Sequence, residues 1–285
     1  MNRKWPLYLF EAVMLVFLVL FLYPFVIVFI NSAKDSFSIT QYPMKLPEHW
    51  GQIFVNMGAI LTNTNIRYGS SFISSILITA LSLLAVTLLP AQAGWALVRT
   101  KTRVSQGIFF LFVAAMVVPF QIVMFPLISW FRAIHVATGI KLLRTYGGII
   151  LAYLGFGLSL SVFIYHGFIK GIPYELEEAA TIDGCSRPGV FYRIIFPLLT
   201  PTHATICILH GIWIWNDFLL PLLILSKGNR IQTLPLAVAN FAGTYVKQWD
   251  LILTAILMAM IPVIILFLAA QKKIIRGMVA GSVKG

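Results

Sequence analysis

The sequence predicts an all-α protein that crosses a membrane with six helices. Of its 285 residues, 59% are hydrophobic and only 11% are charged, whereas soluble domains carry about a quarter charged residues. Six apolar runs are each long enough, at about 1.5 Å per residue, to cross a hydrocarbon core of about 30 Å. In chain order the runs are residues 7–30, 70–98, 107–130, 147–168, 195–225 and 251–271.

The first run follows a short basic start, Arg3 and Lys4, and is too long for the core of a signal peptide. No A-x-A cleavage pattern accompanies it, so we expect a retained signal anchor followed by a polar loop over residues 31–69. The predicted domains are residues 1–69 for anchor and loop, 70–271 for a transmembrane domain, and 272–285 for a cytoplasmic tail.

The next three runs carry signs of close packing and of broken helices. The second and fourth are rich in small residues, which let membrane helices approach one another closely. The third contains Pro119 and Pro126, which interrupt backbone hydrogen bonding, with Gln121 between them. Gln121 suits either an interhelical hydrogen bond or a pathway lining. Residues 131–146 are predicted to form a loop, with or without a short interfacial helix.

The fifth run places Asp217 among apolar neighbours, directly after Asn216. A charge in such a position is costly unless it has a partner. Two interpretations remain open, a structural hydrogen-bond network with Asn216 and a neighbouring helix, or a direct contact with substrate. His203 and His210 are seven residues apart, but a metal site needs more ligands, and none is predicted.

A soluble-looking stretch, residues 173–201, leads from the fourth run into the start of the fifth and holds four of the nine acidic residues. A proline and then glutamates suit the first turn of a helix, so one is predicted from Pro173 to Asp183. Gly184 supplies its stop, because glycine readily takes the left-handed conformation. A second short helix is expected from Pro188 to Phe196.

One face of the first of these helices is suited to a protein contact. It carries residues at i, i+3, i+4 and i+7, which lie side by side on a helix. The two alanines at its centre would let another protein's backbone approach closely. The members of this face are Leu176, Ala179, Ala180 and Asp183.

The stretch resembles the EAA loop of permease subunits in binding-protein-dependent ABC importers. That pattern is matched here by Glu178-Ala179-Ala180, Asp183-Gly184, Phe191, Ile194 and Pro197-Leu198. The phrase AGWALVRTK at 93–101, the string WNDF at 215–218 and the C-terminal residues are also similar to that family. The resemblance covers nearly the whole chain and is strongest to the carbohydrate-uptake branch, which includes the smaller permease of the maltose system.

The resemblance implies a function and a set of partners. A cytoplasmic coupling helix between transmembrane helices 4 and 5 would dock on an ATPase subunit through Leu176, Glu178, Ala179, Ala180, Asp183 and Gly184. Two ATPase subunits would bind ATP and Mg, a second, different permease would share the pathway, and an extracytoplasmic solute-binding protein would deliver a saccharide. The pathway is predicted to include Gln121, Asn216 and Asp217.

This chain is not expected to be an enzyme or to hold a cofactor, since it has no GxxxxGK[ST] nucleotide-binding pattern. A permease for a non-sugar solute is an alternative. A secondary transporter would need intramembrane carboxylates, for which Asp217 is the one well-placed candidate. A membrane-embedded enzyme would need titratable residues clustered at one depth, and here they are scattered.

The charge pattern predicts the orientation. The net charge is +12, and its basic residues cluster at helix ends, as the positive-inside rule predicts, so no nucleic-acid partner is expected. Twelve of the 21 Lys and Arg residues fall on the side of the N-terminus, residues 99–106, residues 169–195 and the tail. We therefore expect a multi-pass protein of a bacterial or archaeal cytoplasmic membrane, surrounded by lipid, with both termini in the cytoplasm.

Overall fold

The computed structural model describes residues 5–64, 67–226, 228, 230–239 and 248–282, with side chains from residue 7 and, in the last helix, through 265 and at 268. Within those ranges the chain forms helices and turns and no strand. The helices are α1 Trp5–Ser32, α2 Ser36–Gln41, α3 Gln52–Thr62, α4 Tyr68–Arg99, α5 Arg103–Ala115, α6 Phe120–Thr138, α7 Tyr146–Ile169, α8 Glu175–Ile182, α9 Arg187–Val190, a π-helical turn Phe191–Ile195, α10 Phe196–Leu198, α11 Thr200–Asn216, α12 Leu219–Ile224, α13 Leu234–Val238 and α14 Trp249–Ser282.

Four of the described helices, α1, α4, α6 and α7, are long and apolar enough to cross a membrane. A fifth span results if Arg187–Leu198 and Thr200–Asn216 count as one, although they meet at an angle of 72°. The apolar part of α14 with described side chains, Trp249–Ile265, is shorter, and the predicted run 251–271 extends beyond it. The all-helical membrane architecture is confirmed, whereas six separate spans stay a prediction.

The third apolar run is two helices, because residues 116–119 separate α5 from α6. At about 1.5 Å per residue, the 13 residues of α5 are too short for a bilayer core of about 30 Å. Pro119 precedes α6 with φ −63° and ψ 137°, so the predicted interruption at this proline is confirmed. Pro126 lies inside α6 without ending it, since its missing N–H removes only one helical hydrogen bond.

The connection between α6 and α7 is shorter than the predicted loop over residues 131–146. α6 continues to Thr138 and ends at Gly139, whose φ of 75° is left-handed and whose N–H donates to the carbonyl of His135 at 2.9 Å. α7 begins after Thr145, whose Oγ1 accepts a hydrogen bond from the N–H of Gly148 at 3.1 Å. Local capping therefore sets both ends of this connection.

The described parts of residues 1–69 and 237–267 form one compact unit, in which the predicted polar loop contains the helices α2 and α3. Asn56 of α3 is buried, and its Nδ2 donates to the carbonyl oxygens of Ser32 at 3.0 Å and Lys34 at 3.1 Å. Thr254 Oγ1, in α14, donates to the same Ser32 carbonyl at 3.0 Å. Side chains thus satisfy carbonyl groups at the end of α1 that lack helical partners.

Residues 70–236 and 268–285 form the second unit, in which α4, α7 and α11 approach one another closely at glycines. A Cβ atom at Gly94 would lie 3.0 Å from the Cβ of Tyr165. A Cβ at Gly157 would lie 3.0 Å from Cγ1 of Val86 and 3.1 Å from Cε1 of His210. These contacts confirm the close packing predicted from the small residues of the second and fourth runs.

Candidate coupling site

The soluble stretch between α7 and α11 begins with α8, which lies within the predicted range from Pro173 to Asp183. Three glutamates occupy its first turn, where the positive end of the helix dipole favours negative charge. At its end, Gly184 has a left-handed φ of 84°. The N–H of Cys185 donates to the carbonyl of Ala180 at 2.9 Å, and the N–H of Gly184 donates to the carbonyl of Thr181 at 3.0 Å. This is a Schellman motif, so the predicted glycine stop is confirmed.

The two faces of α8 have different surroundings. Ala180 is only 7% exposed and belongs to an apolar cluster that includes Tyr165 and Phe191. The expectation that both alanines face a partner is therefore wrong for Ala180, because the chain's own core covers it. The other five predicted coupling residues are exposed, namely Leu176, Glu178, Ala179, Asp183 and Gly184.

Ile182 was missed by the sequence analysis and belongs to the same exposed side of α8. It lies three residues after Ala179 and is 86% exposed, about twice the exposed fraction of Leu176. A search for apolar residues at helical spacing from Ala179 would have found it. The exposed face of α8 is defined here as Leu176, Glu178, Ala179, Ile182 and Asp183.

Glu177 is the buried acid of α8, with 6% of its surface exposed. Its Oε1 accepts a hydrogen bond from Nε of Arg99 at 2.7 Å, and its Oε2 accepts one from Nε1 of Trp95 at 3.0 Å. Arg99 also donates through Nη2 to the carbonyl of Ile172 at 3.0 Å, and its guanidinium lies 5.5 Å from the ring centre of Tyr174. The last turn of α4 is therefore joined to α8 and to the segment that precedes it.

The chain leaves α8 through a short helical path into α11. Ser186 caps α9, and the π-helical turn follows before the 72° bend. Near the bend, Thr200 Oγ1 donates to the carbonyl of Pro197 at 2.6 Å, since the proline at 201 has no N–H to offer it. His203 Nε2 lies 2.9 Å from the carbonyl oxygen of Phe196, and its Nδ1 lies 2.6 Å from the hydroxyl of Tyr165 on α7.

Of the predicted pathway residues, Asp217 has the most contacts. Its Oδ2 accepts a hydrogen bond from the hydroxyl of Tyr153 at 3.0 Å, and its Oδ1 accepts one from the N–H of Leu219 at 3.0 Å. The carboxylate thus links α7 to the first turn of α12, and the fifth apolar run is interrupted there rather than being one continuous helix. The predicted network with a neighbouring helix is confirmed for this residue.

Asn216 and Gln121 are both exposed, and they are not part of that network. Asn216 Nδ2 donates to the carbonyl of Ile212 in its own helix at 2.8 Å. Gln121 lies in the first turn of α6. Within the described residues no hydrogen bond joins Gln121, Asn216 and Asp217 to one another, so a role for them in transport stays a prediction.

Comparison with known proteins identifies the family. Residues 89–279 match the family described as the binding-protein-dependent transport system inner membrane component. The chain belongs to this family. The match includes all of α8, the ion pair of Glu177 with Arg99, and Asp217 with Tyr153, so these contacts lie in the part of the chain that matches the family.

Relatives of this inner membrane component include permease proteins named for sugar transport. The probable starch degradation products transport system permease protein AmyC of Thermoanaerobacterium thermosulfurigenes is 38% identical over 97% of both chains. The melibiose/raffinose/stachyose import permease protein MelC of Bacillus subtilis is 37% identical over 76% of both chains. The arabinooligosaccharides transport system permease protein AraQ of Halalkalibacterium halodurans is 34% identical over 76% of this chain and 74% of that protein.

The fold of this inner membrane component is also similar to a solved structure. A chain in the crystal structure of a bacterial ABC transporter involved in the import of the acidic polysaccharide alginate superposes with a TM-score of 0.78. The two chains are 22% identical, and the match covers 95% of this chain and 98% of the other. The likeness establishes a shared fold.

Proposed function

We propose that this chain is the permease subunit of an ATP-driven ABC importer that moves an oligo- or polysaccharide into the cytoplasm. Family membership supports the transport system, and the relatives support the sugar. Their names specify starch degradation products, melibiose, raffinose and stachyose, and arabinooligosaccharides. Mass spectrometry of the ligand carried by the co-purified solute-binding protein tests the solute class, and a non-saccharide ligand would overturn the sugar assignment.

The complete importer would contain a second permease, two ATPase subunits that bind ATP and Mg, and an extracytoplasmic solute-binding protein. The proposed pathway is shared between the two permeases, and on this chain it includes Gln121, Asn216 and Asp217. α8 would be the part of this chain that receives the movement of an ATPase subunit. Its docking surface would be the exposed face of α8.

The observation that carries this role is an uncovered, partly apolar face on a helix that a Schellman motif ends at Gly184 and that lies outside the long apolar runs. Leu176 and Ile182 are 44% and 86% exposed, with Ala179 between them. Exposed apolar residues grouped on a polar segment mark a protein contact. The buried side of the same helix, at Glu177 and Ala180, fixes its orientation on the second unit.

Replacing Ile182 with aspartate is expected to lower the recovery of ATPase subunits with the permease about tenfold. A carboxylate in an apolar docking pocket costs more than the side chain it replaces, and about 1.4 kcal/mol is already a tenfold change in binding. The measurement is the molar ratio of ATPase to permease after affinity purification of the detergent-solubilised complex. The variant is expected to insert normally, because Ile182 is exposed in the isolated chain and lies outside the long apolar helices.

Val136 offers a matched control, since it is also aliphatic and also 86% exposed. It lies in α6, far along the chain from α8. Val136→Asp is expected to leave the ATPase ratio unchanged. An unchanged ratio in Ile182→Asp as well would show that the exposed face of α8 is not where the ATPase subunit binds.

The proposed topology places both termini and Cys185 in the cytoplasm, a placement supported by the distribution of Lys and Arg. With Cys207 replaced by serine, a membrane-impermeant maleimide is expected to label the remaining Cys185 in inside-out vesicles and not in intact, right-side-out cells. A variant with both cysteines replaced sets the background. Labelling of Cys185 from outside intact cells would reverse the topology.

A further inference from the structure

Three acidic residues begin α8, and only one of them is enclosed by the chain. Glu175 and Glu178 are exposed, whereas Glu177 is 6% exposed and Arg99, its partner, has 13% of its side chain exposed. Both carboxylate oxygens of Glu177 accept hydrogen bonds, one of them from a guanidinium. Charge-assisted hydrogen bonds of this kind are short and about twice as strong as neutral ones.

The donors to Glu177 come from a single turn of α4. Trp95 and Arg99 are four residues apart, so both side chains leave the same face of the helix. Arg99 occupies the last turn of α4, where the negative end of the helix dipole favours a cation. Its second hydrogen bond, to the carbonyl of Ile172, and its position over the ring of Tyr174 add two contacts immediately before α8.

Apolar contacts surround the Glu177–Arg99 ion pair and Trp95. The ring centre of Trp95 lies 5.3 Å from that of Phe191 in the π-helical turn. Trp95 and Val98 pack against the cluster that contains Ala180 and Ile195. The ion pair is therefore part of a packed interior, where removing one charged partner is strongly destabilising because the other is left buried and uncompensated.

α8 is connected to the membrane helices in two ways. The chain itself links it back to α7 and forward, through the π-helical turn and the 72° bend, to α11. The Glu177–Arg99 pair, whose members lie 78 positions apart, joins it to α4 as well. A displacement of α8 transmitted through the chain alone would reach α7 and α11 but not α4.

We infer that Glu177 and Arg99 are positioning residues for coupling, forming the joint through which a displacement of α8 also moves α4. This inference rests on the proposed function of α8 as the element that receives ATPase movement. The exposed face would bind the ATPase subunit, and the Glu177–Arg99 pair would direct the resulting movement into α4 as well as into the helices that flank α8 in the chain. ATP hydrolysis and solute movement would then be linked through α4 too.

The test compares Glu177→Gln with Glu175→Gln in the complete transporter, with both permeases and both ATPase subunits, reconstituted in lipid vesicles. The measured quantity is the amount of solute taken up per ATP hydrolysed, in the presence of the loaded solute-binding protein. Glu177→Gln is expected to lower this ratio about tenfold, within the range of typical coupling between distant sites. Glu175→Gln, on the exposed first position of the same helix, is expected to leave it unchanged.

A purely structural role for the ion pair would give a different result. Fewer complexes would then assemble, but each assembled complex would keep the wild-type ratio of uptake to hydrolysis. That outcome would overturn the inference. A double-mutant cycle adds a second criterion, since Arg99→Gln combined with Glu177→Gln should be no worse than the more impaired single variant, whereas additive losses would contradict a shared joint.

Trp95→Phe keeps the inference testable even where Glu177→Gln gives too little protein. This variant removes only the indole N–H bonded to Oε2 and keeps an aromatic ring against Phe191. The ratio of uptake to hydrolysis is expected to fall in the same direction, about two- to fivefold, in line with the loss of one hydrogen bond. A wild-type ratio in Trp95→Phe would count against the joint.

Failure of this inference is distinguishable from failure of the proposed function. If the ATPase ratio responds to Ile182→Asp while Glu177→Gln and Trp95→Phe both keep the wild-type coupling ratio, docking at α8 stands and the Glu177–Arg99 joint does not. If the molar ratio of ATPase to permease is unchanged in Ile182→Asp, the exposed face of α8 is not the docking surface.

Discussion

Replacing Gly184 with valine is expected to abolish solute uptake while the protein still inserts into the membrane. Gly184 has φ 84°, and a Cβ atom there would meet nothing within 4 Å. The cost of the substitution is therefore backbone strain, about 1–3 kcal/mol for a side chain held in a left-handed conformation. Relief of that strain would change φ and break the hydrogen bonds to the carbonyls of Ala180 and Thr181 that end α8.

The consequence for transport follows from the position of this turn. Gly184 is where α8 reverses into the path that leads through α9 to α11. A different backbone conformation there would change the angle between α8 and α11. Movement of an ATPase subunit bound to the exposed face of α8 would then no longer be transmitted to α11 in the productive direction. Uptake into lipid vesicles is the measurement, together with ATPase recovery and hydrolysis stimulated by the loaded binding protein.

Gly184→Asn is the matched control, because asparagine is close to valine in size and tolerates the left-handed conformation far better. It is expected to retain most of the uptake that valine abolishes. Full retention of uptake, ATPase recovery and stimulated hydrolysis by Gly184→Val would show that this turn plays no part in coupling.

Replacing Asp217 with alanine is expected to remove most of the folded protein from the membrane. The substitution leaves the hydroxyl of Tyr153, a side chain with no exposed surface, without its carboxylate partner. An unsatisfied buried polar group costs about 1–3 kcal/mol. The N–H of Leu219 in the first turn of α12 also loses its acceptor, at a further cost of about 1 kcal/mol by analogy with a lost helix cap.

The neighbouring Asn216→Ala is the control for this loss. Asn216 is exposed and bonds only within its own helix, so its replacement is expected to keep the wild-type amount of folded protein. Size-exclusion profiles and thermal unfolding of the purified protein measure the difference. Equal stability of the two variants would contradict a structural role for Asp217, and lost uptake in a stable Asn216→Ala would place that residue in the pathway.

The sequence was most informative where one physical property dominates a long segment. α1, α4 and α7 lie within two residues of the predicted runs 7–30, 70–98 and 147–168, because uninterrupted apolar side chains determine both their extent and their surroundings. The third and fifth runs are also apolar, yet each is divided. Hydropathy averages over a window, whereas one residue such as Pro119, or a carboxylate that caps a helix such as that of Asp217, can end the hydrogen-bonding pattern at a single position.

The coupling segment shows the same division between local and distant causes. The end of α8 at Gly184 follows from the backbone freedom of glycine and could be predicted from the sequence. Helical periodicity also placed Leu176, Ala179 and Ala180 on one side of the helix. These positions are rotated relative to one another around the helix axis, so the sequence could not predict which of them the rest of the protein covers. The structure buries Ala180 and exposes Ile182, because the interior of the second unit meets α8 from one side.

By itself, then, the sequence determined that this protein is a helical membrane protein with an acidic, capped helix between its apolar runs, since composition and short-range backbone preferences decide both features. Only the tertiary structure decided that Glu177 bonds to Arg99 and Trp95, and Asp217 to Tyr153. These partners lie 78, 82 and 64 positions apart. Such pairs form because helix packing brings the side chains within hydrogen-bonding distance. No local pattern of residues specifies which distant helical turn will pack beside a given side chain.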